Sequence, residues 1–184
     1  MARSHRKSPP LDSARIEQIA LAYVARYATS QARLEAYLRR KLRERGWEGE
    51  GEPGLEGLCA RFAAAGYIDD AAFARARTGS LLRRGYGSRR VAQALAADGI
   101  DAELREELRP GEDERRASAL GLARRRGFGP FGDVPPDAAL RRKQLAAMVR
   151  AGHEFDLARA LVDAPDVAAA ELWASEAAGV PRCD

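Results

Sequence analysis

The chain has 184 residues, room for one or two domains, and 46% of them are nominally apolar. Much of that share is alanine, which favours helix strongly but buries little area per residue, so the composition predicts many helices over thin cores. Its 31 basic and 27 acidic residues leave +4, which suits an anionic partner and equally an ordinary solvated surface; no apolar run is long enough to span a membrane.

Residues 1–12 are basic with no apolar segment after them, so they are read as a disordered basic arm and not a signal peptide. Asp12 or Ser13 caps a first helix bearing Ile16, Ile19, Ala20, Tyr23 and Tyr27 at helical spacing. Ser30 caps a second, with Leu34, Leu38 and Leu42 in one stripe and Gly46 as its stop. A polar loop, Glu48 to Gly54, leads to a shorter helix with Leu55, Leu58 and Phe62, closed by Gly66. The next three helices follow the same plan. Asp69 or Asp70 caps one carrying Phe73, Ala76, Leu81 and Leu82. Ser88 caps the next, with Val91 and Leu95 before Gly99, and Asp101 caps the last, through Leu104 and Leu108. Then come Glu112 to Arg126, a loop from Gly127 to Pro136, a helix opened by Asp137 with Leu140, Leu145, Met148 and Val149 before Gly152, and a short helix with Phe155, Leu157 and Leu161. Val167 to Ala177 allows one more.

The stop glycines recur evenly: 99 − 46 = 53 and 152 − 99 = 53. Leu42, Leu95 and Met148 each precede such a glycine by four places. A fixed period is the mark of stacked helical units, none of which buries enough area alone. The reading is therefore all-α: repeats over 13–66, 67–110 and 111–163, three helices each, forming an elongated curved molecule, with a C-terminal tail over 164–184.

Basic side chains cluster on the middle helix of each unit. Arg39, Arg40 and Arg43 lie opposite the Leu34–Leu38–Leu42 stripe at about 100° per residue. Arg84, Arg89 and Arg90 flank Gly85-Tyr86-Gly87, and Arg141, Arg142 and Lys143 open the third middle helix. One such cluster is an ordinary charged face; three at equivalent places point to a shared binding surface. Asp101 to Glu114 and the stretch from Glu154 onward are acidic and would repel phosphate, which favours a protein partner of mixed charge over bare DNA.

No catalytic set is visible. Gly127-Phe128-Gly129-Pro130 lacks the Gly-Lys-Ser/Thr ending of a phosphate loop. His5 and His153 have no Cys or His companion for a metal, and Cys59 and Cys183 have neither metal nor redox spacing, consistent with a reducing cytoplasm. Asp69 and Asp70 read better as helix caps than as a carboxylate pair. Tyr67, Tyr86 and Phe128 read as packing residues ahead of base-stacking ones.

Ala65-Gly66-Tyr67-Ile68-Asp69-Asp70 with Phe73-Ala74, and Arg84-Gly85-Tyr86-Gly87 with Arg90-Val91, Leu95 and Gly99-Ile100, resemble the RecX family. So do Tyr23-Val24-Ala25-Arg26, Ser30 with Leu34 and Leu38, and Arg40-Lys41-Leu42 before Gly46. Gly152-His153-Glu154-Phe155 stands where the family often has Gly-aromatic. The resemblance covers roughly Ile16 to Val162. It implies three tandem three-helix repeats and binding along the groove of the RecA–DNA filament. It further implies inhibition of RecA ATPase, recombinase and coprotease activity within DNA repair and the SOS response, and no catalysis by this chain. The residues themselves add the expectation of no cofactor, a cytoplasmic setting from the cysteine usage, and a monomer, since stacking within the chain can use most of the apolar surface. The filament-facing residues would be Arg39, Arg40, Arg43, Arg84, Arg89, Arg90, Arg141, Arg142 and Lys143, with weak DNA contact alongside. The alternative is a DNA-binding helical module acting directly on duplex or single-stranded DNA.

Overall fold

A computed structural model describes residues 9–176. Residues 1–8, with His5, and residues 177–184, with Cys183, lie outside the described residues. Among those described are ten α-helices, one 3-10 turn at Gly129–Phe131 and a single isolated bridge, Leu11 to Trp47, in place of any sheet. The fold is all-α. The chain divides into two compact units, one running to Ala74 and including Asp98–Ile100, the other made of Arg75–Ala97 and the residues from Asp101 on.

The first unit holds α1 (Ser13–Val24), α2 (Gln31–Arg45), α3 (Leu55–Ala64) and the start of α4 (Asp70–Arg83). The Asp12 carboxylate caps α1 by accepting from the Arg15 amide at 2.8 Å, and the Ser30 hydroxyl caps α2 by accepting from Arg33 at 3.2 Å. Asp69 caps α4, accepting from the Ala72 amide at 2.8 Å. Asp70 does something the sequence pattern does not show: it accepts from the Gln31 amide at 2.8 Å, adding a second cap to α2. The core packs Ile16, Ala20, Leu34, Leu38, Leu58 and Phe62 together with Leu11. Leu11 is fully buried, its amide donating to Gly46 O at 3.0 Å and its carbonyl accepting from Glu48 at 2.9 Å. The end of the expected basic arm, Leu11 and Asp12, therefore belongs to the packed structure, because an apolar side chain and two backbone bonds hold it there.

The second unit holds most of α4, then α5 (Ser88–Ala97), α6 (Ala102–Glu107), α7 (Glu112–Arg126), α8 (Ala138–Arg150), α9 (Phe155–Val162) and α10 (Val167–Glu176). Its core is largely alanine and small: Ala119, Ala123, Ala158 and Ala170 beside Leu145, Met148, Leu161 and Val162. The helix allowed from Val167 forms, and the Arg116 guanidinium of α7 sits 4.7 Å over its Trp173 ring.

Helix ends meet directly in this unit. The Gly87 amide donates to Ala151 O at 3.0 Å and the Arg89 amide to Gly152 O at 3.2 Å, so the last carbonyls of α8 satisfy the first amides of α5. Ser88 is thus not the cap expected from sequence; Gly87 occupies that place and Gly152 supplies the acceptor. A Cβ on Gly87 would strike the Gly152 carbonyl. His153 is 1% exposed, with Nε2 3.0 Å from Gly85 O and no partner for Nδ1. A carbonyl only accepts, so Nε2 carries a proton and donates it to Gly85 O. Burial holds its pKa below the ordinary 6.5.

Gly87→Ala should destabilise the protein by about 3 kcal/mol, since neither backbone can yield without breaking both bonds. Gly57→Ala, in α3 with open space around it, should stabilise by about 0.5–1 kcal/mol through helix propensity. Thermal melts of the two variants should move in opposite directions. For His153 the unfolded ring binds protons more readily than the folded one, so stability is full above pH 6.5 and declines as pH falls below it. Urea midpoints compared at about pH 7.5 and about pH 5.5 should fall for the wild-type chain, and His153→Phe should lose most of that fall.

Candidate functional site

The nine expected site residues fall on three helices and one bend. In the first unit, Arg39, Arg40 and Arg43 are exposed on the outer face of α2, behind buried Leu34 and Leu38. Their environments differ. Arg39 pairs with Glu35 at 2.6 Å, and Arg40 lies 3.6 Å from Glu44 and 5.3 Å over the Tyr37 ring. Glu44 is engaged mainly by Lys41 at 2.7 Å, whose hydrogen bond holds the carboxyl below the usual range. Arg43 has no ion pair among the described residues.

In the second unit, Arg84 is exposed beside the Gly85–Gly87 bend, its guanidinium 5.5 Å over the Tyr86 ring. Arg89 and Arg90 are exposed in the first turn of α5, with no ion pair among the described residues. Positive charge at a helix start opposes the macrodipole, but the carbonyl end of α8 abuts this start and offsets it. The two guanidinium charges are therefore tolerated without an ion pair among the described residues. On α8, Arg142 and Lys143 are exposed and also lack an ion pair among the described residues. Arg141 is different. It grips both Asp163 oxygens at 2.5 Å, which holds the carboxyl below its usual range and raises the guanidinium's own pKa. Its fork is taken by Asp163, just past the end of α9, so it contributes less outward charge than its two neighbours. The Arg89–Arg90 pair sits against one end of α8 and Arg142–Lys143 near the other, roughly 15 Å apart at 1.5 Å per residue.

The other candidates resolve into structural roles. Tyr67 leans on Phe62 at 5.4 Å, and Phe128 packs on the second core. Burial pushes the Cys59 thiol up to about 11, which leaves it unreactive at neutral pH. Among the described residues no three His, Cys, Asp or Glu side chains are grouped to hold a metal, and no helix is long and apolar enough to cross a membrane.

A family model described as the second three-helix domain of RecX matches residues 69–108, which hold α4, α5 and α6. The regulatory protein RecX of Myxococcus xanthus is 31% identical over 157 residues, covering 80% of this chain and 84% of that protein. The chain belongs to the RecX family. The regulatory protein RecX of Thermus thermophilus is 40% identical over 106 residues, covering 58% of this chain and 70% of that one. The crystal structure of RecX from Lactobacillus salivarius matches with a TM-score of 0.63 at 14% identity, over 79% of this chain and 90% of that chain. At that identity the likeness is one of fold, the helical repeats of RecX proteins.

Because Arg89, Arg90, Arg142 and Lys143 hold nothing in place, alanine at each should change unfolding free energy by less than about 0.5 kcal/mol. Ser30→Ala should cost about 1–2 kcal/mol, since that buried hydroxyl caps α2 and donates to Asp98 O at 2.5 Å. Urea unfolding followed by circular dichroism separates the two classes.

Proposed function

We propose that this chain binds the RecA–DNA filament in the cytoplasm as a monomer and lowers the filament's ATPase, recombinase and coprotease activities without a reaction of its own. The observation that carries the reading is that, of the nine expected residues, Arg43, Arg84, Arg89, Arg90, Arg142 and Lys143 are exposed with no ion pair among the described residues. Solvated cations left unpaired on helix surfaces add little to the stability of a fold and are available to an anionic or mixed-charge partner. Membership of a family whose members are named regulatory proteins supports a binding role over a catalytic one. Exposed Glu103, Glu106 and Glu107 on α6 supply the opposite sign, which a protein polymer can match and naked DNA cannot. In this reading Arg39 and Arg40, engaged by Glu35 and Glu44, contribute less, and Arg141 orients α8 through Asp163.

Charge reversal tests it. Arg89→Glu with Arg90→Glu, and separately Arg142→Glu with Lys143→Glu, should each raise the concentration needed to inhibit a RecA ATPase by about tenfold. Arg141→Glu alone should act through stability and not through the contact. Full inhibition by a folded double reversal would overturn the assignment of these residues. Sedimentation with RecA–single-stranded DNA filaments, compared with DNA alone, checks that the partner is the filament.

A further inference from the structure

Between α5 and α6 of the second unit lies an open groove of about 370 Å³. Ala92 and Leu95 of α5 and Leu108 at the end of α6 give it an apolar lining, with Val91 beside them. Val91 and Leu95 also serve the core and are 1% exposed, but Ala92 is exposed and Leu108 half-buried, so carbon surface is left open to water. The rim is charged, and its charges do not balance. Glu106 is engaged by Arg109 at 3.2 Å, and Glu154 by Arg115 at 2.8 Å. Arg89 on the α5 side is exposed, and Arg105 on the α6 side is half-buried with its Nε donating to Asp101 O at 3.1 Å. Neither of these two guanidinium groups has an ion pair among the described residues. Both rim carboxylates are therefore taken by other arginines, and two cations remain beside the apolar lining.

We propose that this groove docks a segment of a partner protein in which an apolar side chain is flanked by carboxylates. The apolar group covers Ala92 and Leu108, and the carboxylates meet Arg89 and Arg105. A guanidinium offers a carboxylate two parallel N–H donors, a geometry that fixes the segment as well as attracting it. A groove of this volume holds one large side chain with its neighbours, which gives an anchor between the two charged contacts. A nucleic acid strand suits the groove less well. Its phosphates gain nothing from the apolar lining, and Glu106 and Glu154 stand at the rim to repel them. The site shares Arg89 with the filament-facing set, but the chemistry that recognises its ligand needs no RecA.

The test titrates the full chain into a fluorescein-labelled peptide, Gly-Asp-Glu-Leu-Phe-Asp-Glu-Gly, and follows anisotropy. Arg89 stays intact in every variant and RecA is absent, so the result does not depend on the filament contact. Saturable binding with Kd of about 100 μM or tighter is expected. The peptide with Ser-Ser in place of Leu-Phe, or with Gln in place of each acidic residue, should bind at least about fivefold more weakly. Ala92→Trp fills the groove without removing a charge, Arg105→Glu reverses one, and each should weaken binding at least about fivefold. Arg126→Glu, the same charge change on an exposed residue outside the groove, should bind as the wild-type chain does. No saturable binding, equal binding of the Ser-Ser peptide, unchanged binding by a folded Ala92→Trp chain, or an equal loss in Arg126→Glu would overturn the proposal. So would peptide binding seen only in a chain cut after Glu176, which would give the groove to residues 177–184. A dimer of the free chain abolished by Ala92→Trp would give it to a second copy and overturn the proposal equally.

Discussion

Helix ends that hydrogen-bond to one another through bare backbone are the contact on which the rest of the second unit depends. Every helix leaves its first amides and last carbonyls unpaired. Here the carbonyls of Ala151 and Gly152 take the amides of Gly87 and Arg89, so one junction satisfies two helices at once. The approach is possible only because neither glycine has a side chain. The first unit uses a related device: Ser30 at the head of α2 donates to Asp98 O, and Gly99 next to it packs where a Cβ would strike Ala32. The alanine-rich core of the second unit buries little area per residue, so its end contacts carry a larger share of what fixes its helices.

The same junction explains why arginines can stand at the start of α5. Offset dipoles remove the electrostatic objection to positive charge there, and the buried, neutral His153 adds none. Elsewhere the arginines are sorted by what reaches them. Asp163 captures Arg141, Glu154 pairs with Arg115 at 2.8 Å, and Glu171 engages Arg124, all between elements of the second unit. Exposed pairs of this kind add little stability singly. Their effect is to decide which cations remain open to a partner, a distinction that the basic residues in sequence do not reveal.

The aromatic residues show the same sorting. Tyr67 follows a stop glycine and leans on Phe62, as sequence pattern leads one to expect. Tyr23, Tyr27 and Tyr37 come from two helices and the turn between them, and converge only after α1 packs on α2. Four-residue spacing places Tyr23 and Tyr27 near each other, but α1 ends at Val24, and this frees Tyr27 from the helix face to which its spacing would assign it.

Local rules determined most of the helix inventory: Asp12, Ser30, Asp69, Asp101 and Asp137 each cap the helix that follows, and the glycines at 46, 99 and 152 each end one, because caps and stops act within a few residues of chain. The family resemblance was also legible, since its motifs are short and contiguous. Tertiary structure alone decided that Asp70 caps α2, that Gly87 and not Ser88 heads α5, that Leu11 joins the core, and that Arg141 is paired while Arg142 is not. Each of those outcomes depends on a partner roughly 20 or more residues away, whose position is set by packing and not by the neighbouring sequence.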